Sequence, residues 1–111
     1  MDEAARLSFE DFKKIDLRVA EIVEAREHPD ADKLYLLKVD LGDEQRQIVA
    51  GIRTAYDAGE LTGKKIVLVA NLEPAVIRGE ESNGMLLAAK DGDLPVLLTP
   101  ERDVSPGSGI G

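Results

Sequence analysis

The segment His28-Pro29-Asp30-Ala31-Asp32-Lys33-Leu34 gathers the chain's one histidine, two carboxylates and a lysine into a single short stretch. A histidine beside carboxylates is ordinary material for acid–base catalysis or for holding a divalent ion. The spacing favours neither. No second His or Cys stands ready as a partner ligand, Asp30 and Asp32 do not follow the EF-hand pattern, and a residue before proline is driven to extended backbone while Asp favours turns. The segment reads as a solvated loop carrying a loop histidine. A second polar cluster lies in GEESNGMLLAA, residues 79–89, directly before an apolar run that starts at Met85. There a serine hydroxyl, a conformationally free glycine and a soft thioether could meet a ligand. The same residues could equally shape a turn, with Met85 opening a buried strand. A phosphate-cradling GxxxxGK, a nucleophile elbow and a GxGxxG are all missing from the sequence, so these motifs suggest no catalytic residue, cofactor or metal.

The elements that must carry these loops read as short strands. Residues 15–26, IDLRVAEIVEAR, alternate imperfectly, with Leu17, Val19, Val23 and Ala25 on one side and Ala20 and Ile22 on the other. That pattern predicts a long, curving strand buried partly on both faces. LYLLKVDLG places Tyr35, Leu37, Val39 and Leu41 on one face, and QRQIVAGI follows across an LGDE turn, so the two are expected to pair as a hairpin. Further strands are expected at IVLVAN, at Met85 to Ala89 and at PVLLT, with turn-forming glycines and prolines between them. Between Thr54 and Gly63 the alternation is lost, and Gly59 and Gly63 limit any helix to about a turn. Ser8 ahead of FEDF, with Asp11 three positions on, imitates a capping box and predicts a short N-terminal helix. The tail SPGSGIG is rich in turn formers and shows no pattern of its own.

With 111 residues, 43% of them hydrophobic, the chain is expected to form one domain, residues 1–111, with a modest core. The absence of cysteine rules out disulfides and thiolate metal sites. No apolar run approaches the length of a membrane span, and the start MDEAARLSFEDF is acidic where a signal peptide is basic. A cytoplasmic protein without membrane contact is the expectation. The formal charge of −8 argues against a broad basic surface, so any nucleic-acid binding must be local. Many short strands with few helices indicate an all-β fold, either a small barrel or a sandwich. A five-stranded Greek-key barrel suits the length and the long first strand.

FEDFKKIDLRVAEIVEAREHPDADKLYLLKVDLGDEQRQIVAGI, followed by VANLEPAVIRGEESNGMLLAA, resembles the tRNA-binding domain of methionyl-tRNA synthetase C-termini, of their separate β subunits and of stand-alone tRNA-binding proteins. HPDADKLY, VDLGDE, IVAGI, NLEP and RGEESNGM occur together and in order, from about Phe9 into the tail. The resemblance implies an OB-fold barrel, core about residues 13–100, with a short N-terminal helix and a C-terminal extension. It implies tRNA binding by shape, largely independent of sequence, that raises a synthetase's affinity for tRNA without catalysis; the HIGH and KMSKS signatures of class I synthetases are missing from the chain. It also implies a homodimer built through about residues 91–111, and the catalytic subunit of methionyl-tRNA synthetase as a partner. Whether the domain acts alone or as part of a longer synthetase stays open.

The resemblance assigns the contacts residue by residue. Ser82 would offer its hydroxyl to phosphate or ribose, Met85 an adaptable apolar contact, and Gly84 close backbone approach. Lys33 and Arg78 would meet phosphates as cations. Asn71 would read a ribose hydroxyl or fix its own loop, and Arg53 stands where relatives carry a basic residue. Three departures lower the expected affinity: Ala75, Val76 and Ile77 replace a commonly basic segment, Glu80 and Glu81 flank the contact loop, and the basic residue after the PGS turn is lacking. Weak binding follows, useful where a dimer or a tethered synthetase raises the effective concentration. The acidic excess alternatively suits high salt. Two rivals remain on the same barrel, an export-type peptide-binding chaperone using the apolar Ala75 to Ile77 surface and a protein-docking subunit that binds no RNA.

Overall fold

The computed structural model describes residues 5–111; the acidic start at residues 1–4, read above as unlike a signal peptide, lies outside them. In chain order the elements are α1 (Phe9–Phe12), β1 (Leu17–Glu27), β2 (Tyr35–Asp40), β3 (Gln45–Ala50), α2 (Ala58–Leu61), β4 (Lys65–Val69), β5 (Ala75–Ile77), β6 (Glu80–Ser82), β7 (Met85–Leu86), β8 (Ala88–Asp91), β9 (Leu94–Leu97) and β10 (Gly109–Ile110). The fold is all-β, a curled antiparallel sheet in the order β3-β2-β1-β4-β7, with β10 alongside β1. Two small hairpins, β5–β6 and β8–β9, hang from it. Among the described residues no helix is long and apolar enough to cross a membrane.

Strand β1 makes the curl. Its first half, Leu17 to Glu21, pairs with β4, and its second half, Glu21 to Glu27, pairs with β2. A register shift between Ile22 and Glu24 marks the bend, as an extra residue in one strand turns it and increases its twist. Val19, Ala20 and Ile22 are buried although they do not share one face of a flat strand. This is the imperfect alternation visible in the sequence. The β2–β3 hairpin forms as expected, with Leu37 opposite Ile48 and Val39 opposite Arg46.

The core fills the inside of the curl with Ile22, Leu37, Val39, Leu41, Ile48, Ile52, Ile66 and Leu68. Helix α2 is a single turn that drops Leu61, fully buried, into one end of the barrel. Tyr35 Oη donates to Tyr56 O at 2.7 Å, and Leu97 N–H donates to Tyr56 Oη at 3.1 Å, which pins the β8–β9 hairpin to the same end. Opposite edges of the sheet meet without a full ladder. Asn83 N–H donates to Gln47 O at 2.9 Å and Val49 N–H donates to Ser82 Oγ at 3.0 Å, so the segment between β6 and β7 closes an OB-like barrel against β3.

Four local readings change. The expected strand Met85 to Ala89 is split between β7, paired with β4, and β8, paired with β9, and Met85 is exposed rather than buried. Residues 75–82 form a hairpin, where the sequence predicts no strand and the polar residues from Gly79 read as a loop. The tail is not patternless: Gly109 and Ile110 pair with Arg18 and Leu17, and Gly107 N–H donates to Val19 O at 2.7 Å. Gly107 has φ +90, and a Cβ there would lie 2.2 Å from Leu41 O, so only glycine allows the tail to cross the LGDE turn. Lastly, Ser8 does cap α1, accepting from Asp11 N–H at 3.1 Å, while the Asp11 carboxylate turns to Lys14 instead of completing a capping box.

Candidate nucleic-acid interface

The face that carries the expected contacts is assembled from the β1–β2 loop, the β5–β6 hairpin and the segment leading into β7. Hairpin β5–β6 pairs Ile77 with Glu80 and turns through Arg78-Gly79 alone. Both turn residues have positive φ, 52° and 86°, as the type I′ turn that matches strand twist requires. Glycine adopts this at no steric cost, whereas a side chain in the left-handed region costs about 1 kcal/mol or more. Among the described residues Arg78 is the one non-glycine in that region. Its guanidinium donates from Nη2 to Asp30 O at 2.7 Å, a charge-assisted bond that ties the turn to the β1–β2 loop.

That bond brings Arg78 beside Lys33. The two cations, with Asp30, Asp32 and Leu34, line a concavity of about 440 Å³. Neither cation pairs with a carboxylate side chain among the described residues. Both stay outside any salt bridge among the described residues, with the two carboxylates Asp30 and Asp32 lining the same concavity. Arg53 does not: Nη2 bonds Glu27 Oε2 at 2.7 Å and Nη1 donates to Ala31 O at 3.1 Å, and the guanidinium lies 6.0 Å from the Tyr35 ring centroid. Its backbone N–H donates to Lys33 O at 3.4 Å. Arg53 thus braces the loop that presents Lys33.

A largely apolar groove of about 420 Å³ is walled by Leu72, Ala75, Ile77, Met85 and Leu86, with Glu73, Ser82 and Gly84 also lining it. Met85 stands 47% exposed at its rim. Ser82 is buried, and its hydroxyl is spent internally, accepting from Val49 N–H and donating to Gly84 O at 3.0 Å. Gly84 has φ +128, and a Cβ there would sit 3.2 Å from both Leu68 Cδ1 and Val69 O. Ser82 and Gly84 therefore set the backbone from which Met85 projects.

Asn71 stands apart from this cluster. Its Oδ1 accepts from Asp16 N–H at 2.8 Å and its Nδ2 donates to Lys14 O at 2.6 Å, stapling the NLEP segment to the chain entering β1. Both amide functions are used in fixing a loop. Beside it Asp16 pairs with Arg18 at 3.0 Å, and the hydrogen bond and charge of Asp16 hold the Arg18 guanidinium above its ordinary pKa.

The chain matches the family described as "Putative tRNA binding domain" over residues 17–109. The chain belongs to this family. The tRNA-binding domain is 54% identical over 104 residues, 94% of its length, to a methionine–tRNA ligase of Thermococcus kodakarensis, of which it spans 14%. Among solved structures it is similar to a MetRS-related protein from Pyrococcus horikoshii, 33% identical with a TM-score of 0.90 over 100% of both chains. It is also similar to the CsaA chaperone protein from Picrophilus torridus, 38% identical with a TM-score of 0.89, covering 96% of this chain and 100% of that one.

Of the residues singled out in the sequence, Lys33 and Arg78 converge on one concavity, Ser82, Gly84 and Met85 line a groove, and Arg53 braces the loop that presents Lys33. Sequence reasoning missed His28. Read only as a loop histidine, it is 3% exposed, and its ring nitrogens meet Asp30 N–H in the β1–β2 loop and Ile77 O at the end of β5. The signal was its place between the end of a strand and a Pro-Asp turn, where one imidazole can serve several loop backbone groups.

Proposed function

We propose that this domain binds tRNA through phosphate-directed, largely sequence-independent contacts and acts as an accessory domain or β subunit of a methionyl-tRNA synthetase, increasing tRNA affinity without catalysing aminoacylation. The observation that carries the reading is the convergence of Lys33 and Arg78, neither in a salt bridge among the described residues, on one concavity beside the groove rimmed by Met85. Two cations at one locus can follow a phosphodiester backbone, while an apolar rim receives sugar or base. In this reading Ser82, Gly84 and Arg53 position the interface from behind, and Asn71 fixes the NLEP segment. The family membership and the methionine–tRNA ligase relatives support it.

The same reading places the protein in the cytoplasm and makes it a homodimer through residues 91–111, where Leu94, Val96, Leu98 and Ile110 stand exposed. Affinity per domain is modest, because Glu80 and Glu81 lie on the contact hairpin and the net charge is −8. A dimer or a linked synthetase offsets this by raising effective concentration.

A second reading, peptide binding, draws on the apolar groove and the likeness to CsaA. The experiment that separates the two is binding of bulk tRNA and of an unfolded apolar peptide at low and high salt. Phosphate contacts weaken steeply with salt through counterion release, and apolar burial does not. Peptide binding without tRNA binding would overturn the proposal.

A further inference from the structure

We infer that His28 is a positioning residue for the interface: its imidazole clamps the β1–β2 loop to the Arg78-Gly79 turn and thereby sets where Arg78 stands relative to Lys33. The inference rests on the tRNA-binding reading above. Its tautomer follows from the partners. Asp30 N–H points at Nδ1 from 3.0 Å, and an N–H facing a ring nitrogen requires a lone pair there. The proton of a neutral ring is then on Nε2, which lies 3.2 Å from Ile77 O, a group that can only accept. One protonation state satisfies both contacts.

These bonds join pieces distant in sequence. His28 N–H donates to Leu34 O at 3.1 Å, closing the base of the loop, and the ring reaches across to the last residue of β5. Ile77 directly precedes Arg78, so holding its carbonyl holds the peptide plane that enters the left-handed turn. Arg78 answers through its bond to Asp30 O, so Asp30 is gripped by His28 at its N–H and by Arg78 at its C=O. The imidazole lies outside the hydrophobic core cluster. Its loss should therefore loosen the two loops and leave the barrel standing. Binding then falls because the two cations must be ordered at the moment of association instead of beforehand.

The test pairs two substitutions that each keep half of the imidazole. His28→Gln can place an amide N–H near the Nε2 position and keep the link to Ile77; His28→Asn can place an oxygen near the Nδ1 position and keep only the link to Asp30. Each variant loses one bond, so thermal melting should fall by a similar amount in both. We expect His28→Asn to weaken tRNA binding about tenfold and His28→Gln to stay within about threefold of the parent. Equal losses of affinity tracking the losses of stability would reduce His28 to a folding residue and overturn the inference. Two NMR readouts need no tRNA: long-range proton–nitrogen correlations of the ring, expected to show the Nε2–H tautomer, and the Gly79 amide shift, expected to move in His28→Asn and hardly in His28→Gln. An Nδ1–H tautomer, or an unmoved Gly79 in His28→Asn, would overturn the clamp. Parent protein that binds no tRNA while both NMR signatures appear would sink the tRNA-binding reading and leave the clamp intact.

Discussion

Replacing Ser82 by alanine separates a hydroxyl that positions the contact loop from one that touches RNA. Ser82 is 4% exposed and its oxygen serves two backbone groups, Val49 N–H and Gly84 C=O, both at 3.0 Å. The substitution strands both. An orphaned buried polar group costs about 1–3 kcal/mol, and Val49 is only half-buried, so a loss of about 2–4 kcal/mol is expected. For a chain of this size that corresponds to a melting temperature lower by about 8–15 °C. The barrel also loses one of the bonds that close β3 against the β6–β7 segment, so the Val49 amide should lose protection from hydrogen exchange well beyond that of Ile66 or Leu68. The assay is calorimetric or circular-dichroism melting with exchange mass spectrometry, and Ser82→Thr, which keeps the hydroxyl, serves as the control. A Ser82→Ala protein that melts within about 2 °C of the parent yet loses tRNA affinity would refute the reasoning, because its hydroxyl would then be directed at the ligand.

Other positions make independent tests. Gly84→Ala combines the Gly-favoured φ of +128 with Cβ contacts at 3.2 Å, and should cost about 3 kcal/mol in urea unfolding. Gly107→Ala would put a Cβ 2.2 Å from Leu41 O, and should release β10 from β1; loss of exchange protection at Val19, whose N–H donates to Ser108 O at 2.9 Å, would report it. Arg78→Ala and Lys33→Ala should each lower the salt slope of tRNA binding by about 1 while weakening binding across tRNA species alike. Arg53→Ala should weaken tRNA binding less than Arg78→Ala, since Glu27 and Ala31 already occupy its guanidinium.

How far the sequence could be read depended on how local each cause was. The long bent strand, the β2–β3 hairpin and the one-turn helices follow from side-chain alternation and turn residues within a few positions of one another. The β5–β6 hairpin escaped that reading because its two short arms, AVI and EES, have too few residues to show a period, and its turn uses arginine where asparagine or aspartate would have announced it. Strand β10 escaped because what holds it is distant: Lys65 Nζ bonds Asp103 and Val104 O, and Gly107 fits against Leu41. For the proposed site, the candidates Lys33, Arg78 and Met85 came from the family motifs. Loop-shaping roles for Ser82 and Asn71 were readable only as alternatives to direct contact, and the inward turn of Arg53 was not readable at all, since hydrogen bonds to backbone groups 22 to 57 residues away leave no pattern in the chain.

The account turns on whether two cations outside any salt bridge among the described residues, on an acidic protein, suffice to hold tRNA. The direct measurement is a titration of labelled bulk tRNA with the purified protein at low and moderate salt, beside Arg78→Ala. Binding that weakens with salt in the parent, and that is weaker and less salt-sensitive in the variant, is the predicted result. Absence of binding at low salt, or binding indifferent to both salt and Arg78, would contradict it.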